Sequence, residues 1–279
     1  MDFTGDLTGL SGDQAMLLER LLDDAVQEHH APFLPAPRAV AIQRGAGPRP
    51  LFLVHGSGGQ VMFLHAIAKH MAPDQPLYGI EAGNAETDPA DIIRGYLATL
   101  RSVQPEGPYR LSAYSAGCLV AFEMAARLEA DGEQVEALLL IDPVEPRDGR
   151  SAAQPAGPPA TPHERLRRRF EMAMLAGVTP LSSQFGPIEQ ANRTLAKIAS
   201  SFQARPLDVR IRILHGLCGG YVSTPAALEG WARLALGGLE RAAVDADHFE
   251  IVREPHAAET GRQLQAWLDA LSRAAPVGA

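Results

Sequence analysis

The stretch Tyr109–Gly132, YRLSAYSAGCLVAFEMAARLEADG, constrains this chain more than any other. An apolar run from Tyr109 to Tyr114 follows a Gly107-Pro108 turn and reads as a short strand. Leu119, Val120, Ala121, Phe122, Met124, Ala125, Ala126 and Leu128 then leave a helix almost no polar face, the pattern of a buried helix. Between the two, Ala113-Tyr114-Ser115-Ala116-Gly117 centres a serine in a turn, with small residues two positions away on either side. Such a sharp turn strains the backbone at the serine, so the flanking positions must lack bulk. The turn lifts the hydroxyl out of the sheet, above a helix N-terminus that favours developing negative charge. The usual spacing is G-x-S-x-G, and Ala113 departs from it by one methyl group. A plain strand–turn–helix is the competing reading. The absence of charge from Leu111 to Phe122 favours a nucleophile turn.

The rest of the chain repeats this alternation. Apolar runs at Leu51–Val54, Leu77–Glu81, Ala137–Ile141, Ile211–Leu214 and Leu239–Val244 read as strands. Helical patterns fall at Val61–Met71, at Ile92–Leu100 and from about Glu254 to Leu271. Alternating strands and helices predict an α/β fold with a mostly parallel, doubly wound sheet. Functional groups then belong in loops at the carboxyl ends of strands, where His55, Ser115, Asp142 and His215 fall. Between Asp142 and Arg210 the alternation stops. Residues 146–162 are rich in Pro, Gly and Ala and read as a mobile loop. Thr161-Pro162-His163-Glu164 makes a capping box ahead of a helix striped with Leu166, Phe170, Ala173 and Met174. A second helix carries Ala191, Leu195, Ile198 and Phe202 at helical spacing. The pair predicts a lid at about 146–205, inserted after the strand ending at Asp142.

Upstream, Ser11 to Gln14 reads as a capping box, and Met16, Leu17, Leu18, Leu21, Leu22 and Val26 mark an amphipathic helix to about Glu28. The proline-rich stretch 31–49 reads as a linker with a short strand at Ala39–Gln43. The expected organisation is an N-terminal helix (1–30), the linker and a main domain (50–279). For the helix, a packing role stands against docking or homodimer formation.

A net charge of −8 and a pI near 5.6 argue against nucleic acid or an anionic membrane as the main partner. The start MDFTGDLTGL lacks the basic and apolar regions of a secretory signal, and no apolar run is long enough to span a bilayer. Cys118 and Cys218 form no C-x-x-C pair or metal cluster. The expectation is a cytoplasmic protein with no metal and no cofactor of its own.

A serine hydroxyl needs a histidine to take its proton, and the histidine needs a carboxylate to hold its tautomer. Of nine histidines, His29 and His30 lie in the linker, His163 in the lid cap, and His65 and His70 on a helix. His55 and His215 each precede a glycine and read as loop scaffold, and His256 begins the last helix. His248 follows the last strand, where α/β-hydrolases place the base, after serine and acid in chain order. For the acid, the loop after Ile211–Leu214 offers no carboxylate before Glu229, whereas the preceding strand ends in Asp142. Asp245 and Asp247 read as solvated loop charges. The backbone N–H groups of Ala116 and Ser57 are the candidate oxyanion hole. Cys118 reads as a buried small hydrophobe.

Three segments then carry a resemblance: PLFLVHGSGG, AYSAGCLVAFEMAARLEADGEQVEALLLID and GGLERAAVDADHFEIVREPHAAETGRQLQAWL. The chain resembles the thioesterase domains that end non-ribosomal peptide synthetases and polyketide synthases, within the α/β-hydrolase fold. That family places its acid after the strand that follows the nucleophile, in agreement with Asp142. The departures are Ala113 and Ala246 for glycine, and a start methionine with no carrier domain upstream, as in a free-standing enzyme or an excised domain. The resemblance implies release of an acyl, polyketide or peptidyl chain from a carrier-protein phosphopantetheine thioester, by hydrolysis or macrocyclisation. A free-standing editing thioesterase, a small-ester carboxylesterase and a non-enzymatic binding module are the alternatives. The implied partner is an acyl or peptidyl carrier protein. Arg165, Arg168 and Arg169, at helical spacing on the first lid helix, are candidates to meet its acidic surface or its phosphate. A solvated charged face is the plainer account.

Overall fold

Strands that alternate apolar residues above and below must bury both faces when helices cross over each side. The computed structural model, which describes residues 9–28, 36–47, 49–83, 88–147, 161–175, 185–218 and 223–274, builds that arrangement from seven strands. They are β1 (Arg38–Gln43), β2 (Leu51–Val54), β3 (Leu77–Glu81), β4 (Tyr109–Tyr114), β5 (Val135–Ile141), β6 (Ile211–Gly216) and β7 (Leu239–Val244), in the order β1-β3-β2-β4-β5-β6-β7. All pairs are parallel except β1, which lies antiparallel to β3 at the edge. The described helices are α1 (Gly12–Glu28), α2 (Leu64–Ala68), α3 (Pro89–Val103), α4 (Gly117–Ala130), α5 (Pro162–Leu175), α6 (Phe185–Ser201), α7 (Pro225–Leu234) and α8 (Ala257–Ala274).

Alternate residues feed two cores. Phe52, Val54, Leu138 and Leu140 face α3, α4, α6 and α7, while Leu51, Leu53, Leu139 and Ile141 face α2 and α8. The chain leaves β2 toward β3 and then crosses back to β4, so the order reverses at the β2–β4 pair. The helices after these two strands lie on opposite faces, which opens a crevice at their carboxyl ends. The α/β-hydrolase expectation holds in this sheet, and the turns after β2 and β4 meet at the crevice.

Four elements add to or depart from expectation. The short strand expected at Ala39–Gln43 forms as β1, and its pairing with β3 makes it part of the sheet. The helix expected over 61–71 contracts to α2, because three-residue turn bonds such as Leu64 N–H to Val61 O and His70 N–H to Ile67 O flank it. α7 was not assigned from sequence, although Thr224 caps it through Ala227 N–H at 3.2 Å and Pro225 opens it. α6, the second helix of the expected insertion after β5, is seated on the main domain. Its Leu195 and Ile198, with Phe202 just beyond it, lie in the main core, where Phe202 meets Phe122 at 5.5 Å between ring centroids.

Both expected capping boxes form. Gln14 N–H donates to Ser11 Oγ at 3.2 Å and Ser11 N–H to Gln14 Oε1 at 2.8 Å. Glu164 N–H donates to Thr161 Oγ1 at 3.2 Å and Thr161 N–H to Glu164 Oε2 at 2.7 Å. The helices they open, α1 and α5, pack on each other through Ala15, Leu22 and Leu166, a small cluster apart from the two main cores. Residues 148–160, most of the expected mobile loop, lie outside the described residues.

Candidate active site

The turn between β4 and α4 has the strain expected of it. Ser115 has φ +57°, in the left-handed region that non-glycine residues rarely adopt. Its N–H donates to Ile141 O at 3.0 Å, which holds the turn against the end of β5. A Cβ at Gly117 would stand 1.9 Å from His55 O, so the turn can press against the loop after β2 only with glycine there. Ala113 at the other small position is fully buried, and its methyl group is accommodated. The strain is therefore held by packing on two neighbouring strands.

Three of the side chains singled out in the sequence meet at this point. Ser115 Oγ lies 3.0 Å from His248 Nε2, and His248 Nδ1 lies 2.5 Å from Asp142 Oδ2. Burial alone would raise the Asp142 carboxyl, but hydrogen bonding from His248 holds it below the ordinary carboxylate value. Gly216 N–H adds a bond to Asp142 Oδ1 at 3.1 Å. A carboxylate can only accept, so His248 Nδ1 carries the proton and Nε2 is left to accept from the Ser115 hydroxyl. Asp142 also has positive φ, +41°, in the left-handed region that non-glycine residues rarely adopt. Ser115 is only 5% exposed, and Asp142 and His248 are buried with it, so the three groups lie in a desolvated setting.

Tyr114 fixes the histidine from beneath, a role that the sequence reading did not assign. Its hydroxyl donates to His248 O at 2.6 Å, and its ring stacks on the imidazole at 5.0 Å and 21°. Asp247, expected as a solvated charge, caps the turn instead by accepting from Phe249 N–H at 2.7 Å and Glu250 N–H at 2.8 Å. Asp245 stays exposed. His55 is scaffold, as expected. Fully buried, it bonds Tyr96 through Nε2 and Gly56 O through Nδ1, and burial lowers its pKa to about 4, so the ring stays neutral. Cys118 lies fully buried beneath the turn with Sγ 3.4 Å from Ala113 O. Burial and the Asp142 charge push its thiol well up, which keeps it protonated and unreactive.

The candidate oxyanion donors sit on the two turns in contact. Among the described residues, the backbone N–H groups of Ala116 and Ser57 have no acceptor. They are available to a ligand. The structure describes the side chains of two of the three candidate arginines. Arg165 makes a two-point ion pair with Glu19 of α1, at 2.6 and 2.8 Å, and Arg169 is buried against Glu189 of α6. Both charges are engaged within the molecule, because α1 and α6 flank α5 with carboxylates at matching positions. The Arg168 side chain falls outside the described residues. Among those residues, no group of three His, Cys, Asp or Glu is placed to hold a metal ion. No described helix is long and apolar enough to cross a membrane.

Known proteins resemble the chain in sequence and in fold. A family profile described as "Thioesterase domain" matches residues 49–268. Malpinin synthetase of Mortierella alpina is 34% identical over 160 residues, which is 55% of this chain and 2% of that protein. Nonribosomal peptide synthetase pngA of Aspergillus terreus is 37% identical over 132 residues, covering 44% of this chain and 14% of that one. The chain thus spans a small part of the length of these relatives. Among solved structures, the NocB thioesterase domain in covalent complex with a fluorophosphonate nocardicin G analogue superposes with a TM-score of 0.64 at 25% identity. That match covers 84% of this chain and 99% of the other. The Vlm2 thioesterase domain, at 18% identity and TM-score 0.64 over 82% of this chain and 96% of the other, shares the fold.

Proposed function

The chain belongs to the thioesterase-domain family, and on that premise we propose that it releases an acyl or peptidyl chain from the phosphopantetheine thioester of a carrier protein through an acyl-enzyme on Ser115. The observation that carries this reading is the hydrogen-bonded series Ser115–His248–Asp142 at a strained turn. The similarity to a nonribosomal peptide synthetase supports a carrier-borne substrate. In the first half-reaction His248 Nε2 takes the hydroxyl proton as Ser115 Oγ attacks the thioester carbonyl carbon. The carbonyl oxygen becomes an oxyanion that accepts from Ala116 N–H and Ser57 N–H. Asp142 keeps the proton-bearing Nδ1 in place and stabilises the imidazolium. When the C–S bond breaks, His248 gives its proton to the departing pantetheine sulfur. In the second half-reaction His248 takes a proton from water, or from a nucleophile within the bound acyl chain, as it attacks the acyl-enzyme carbonyl. The bond to Ser115 Oγ then breaks, His248 returns the proton to that oxygen, and an acid or a macrocycle is released. The nucleophile, the base, the acid and both oxyanion donors in these steps are residues of the protein.

The test compares one acyl group presented in two ways, as a carrier-bound thioester and as a small oxygen ester. Much the larger kcat/KM is expected on the carrier-bound substrate. A preference for the free ester would point instead to a small-ester hydrolase with the same three residues.

A further inference from the structure

The glycine-rich turn that carries Ser57 is tied down from outside the sheet. Gly58 donates its N–H to Asn192 Oδ1 of α6 at 2.9 Å, across 134 positions of sequence. Beside that bond α6 presses on the turn directly. A Cβ at Gly59 would come 2.6 Å from Ala191 Cβ, and one at Gly58 would touch Ile188 at 3.8 Å. Both glycines have positive φ, +91° and +79°, a shape that a chain with side chains rarely adopts. A turn with that freedom has many ways to point the peptide of Ser57 unless something outside it fixes the next amide. The Asn192 bond does so at the position immediately after Ser57. Because the far end of α6 is seated in the main core, the acceptor stands on a rigid support.

We propose that Asn192 is a positioning residue: by accepting from Gly58 N–H it aims the Ser57 N–H at the oxyanion, so this donor is competent only while α6 is seated on the turn. The inference rests on the acyl-enzyme reading above, with Ser57 as one oxyanion donor. An oxyanion donor stabilises the tetrahedral state more than the bound thioester. Loss of its aim therefore lowers kcat and leaves KM nearly unchanged.

The experiment uses the full chain with Asn192→Ala and Asn192→Leu, the second filling the space without an acceptor. Three quantities are read: turnover of a short acyl thioester, affinity for a trifluoromethyl ketone that adds to the serine as a charged tetrahedral adduct, and affinity for an inert thioether of the same acyl chain. For either variant that keeps the wild-type melting temperature, kcat falls by about 10- to 100-fold, short of the ~10²–10³ that outright loss of such a donor costs. Affinity for the ketone falls by the same factor, and thioether affinity stays within about twofold of wild type. Unchanged kcat and ketone affinity would overturn the proposal. So would equal losses on ketone and thioether, or loss of folding in both variants, since either would mean that Asn192 serves only the shape of the site. A fluorophosphonate control separates this from the reading beneath it. If the wild-type protein is not labelled at Ser115, the acyl-enzyme itself fails; if it is labelled and the variants behave as wild type, only the role of Asn192 fails.

Discussion

α5 and α6, the two helices between β5 and β6, are held in opposite ways. α6 is fixed at two places: Leu195, Ile198 and Phe202, at and just beyond its C-terminal half, are buried with Phe122 in the main core, and Asn192, near its middle, reaches the turn after β2. α5 rests on α1 through the small cluster of Ala15, Leu22 and Leu166, and through the exposed pair Arg165–Glu19. It meets α6 through the buried Arg169 against Glu189. α1 leaves Met16, Leu17 and Leu21 exposed on its other side. The difference teaches that α6 is part of the site's frame, whereas α5 and α1 form a cover that can shift without disturbing the chemistry. Local opening is expected where few apolar contacts must be broken.

The largest effect is expected within the frame. Asp142→Asn should lower turnover on the order of 10⁴-fold, because asparagine can hold the wrong tautomer of His248. Asp247→Asn should cost far less, since an amide oxygen can still cap the turn. Steady-state kinetics on a short thioester checks both, and a larger loss from Asp247→Asn would mean that the acid is misplaced.

Next come the two helices themselves. Phe202→Ala should cost about 3–5 kcal/mol of global stability in denaturant unfolding, as for other fully buried aromatics. Leu166→Ala should instead speed hydrogen exchange in α1 and α5 with little change in the global midpoint. If both variants lower the midpoint equally, the cover is as integral as the frame and the comparison fails. The smallest effect belongs to Arg165→Ala. An exposed ion pair contributes little, so neither the melting temperature nor turnover of a short thioester should change measurably. A clear loss of turnover would place α5 within the frame.

Much of the frame was legible in the sequence, because strands buried on both faces are continuous apolar runs and strained turns admit few residue types. Ser115, Asp142 and His248 stand out on that basis, each at the end of a strand. The bond from Asn192 to Gly58 was not legible, since nothing local marks one asparagine on an amphipathic helix as facing a turn 134 positions away. Tyr114 was hidden for a related reason. An aromatic residue beside the serine reads as strand core, and only the fold brings the His248 loop over it. The ion pairs of Arg165 and Arg169 were not legible either, since Glu19 and Glu189 arrive from other helices to meet them. The edge strand β1 lay within a proline-rich stretch, and its antiparallel pairing with β3 drew it into the sheet.

The central claim is that the acyl group passes through the Ser115 hydroxyl. The most direct measurement is the intact mass of the protein after brief mixing with an acyl thioester, followed by fragment-ion localisation of the adduct. The account predicts a single acyl adduct on Ser115 that Cys118→Ala retains and Ser115→Ala abolishes. An adduct on Cys118, or on any residue other than Ser115, would contradict it.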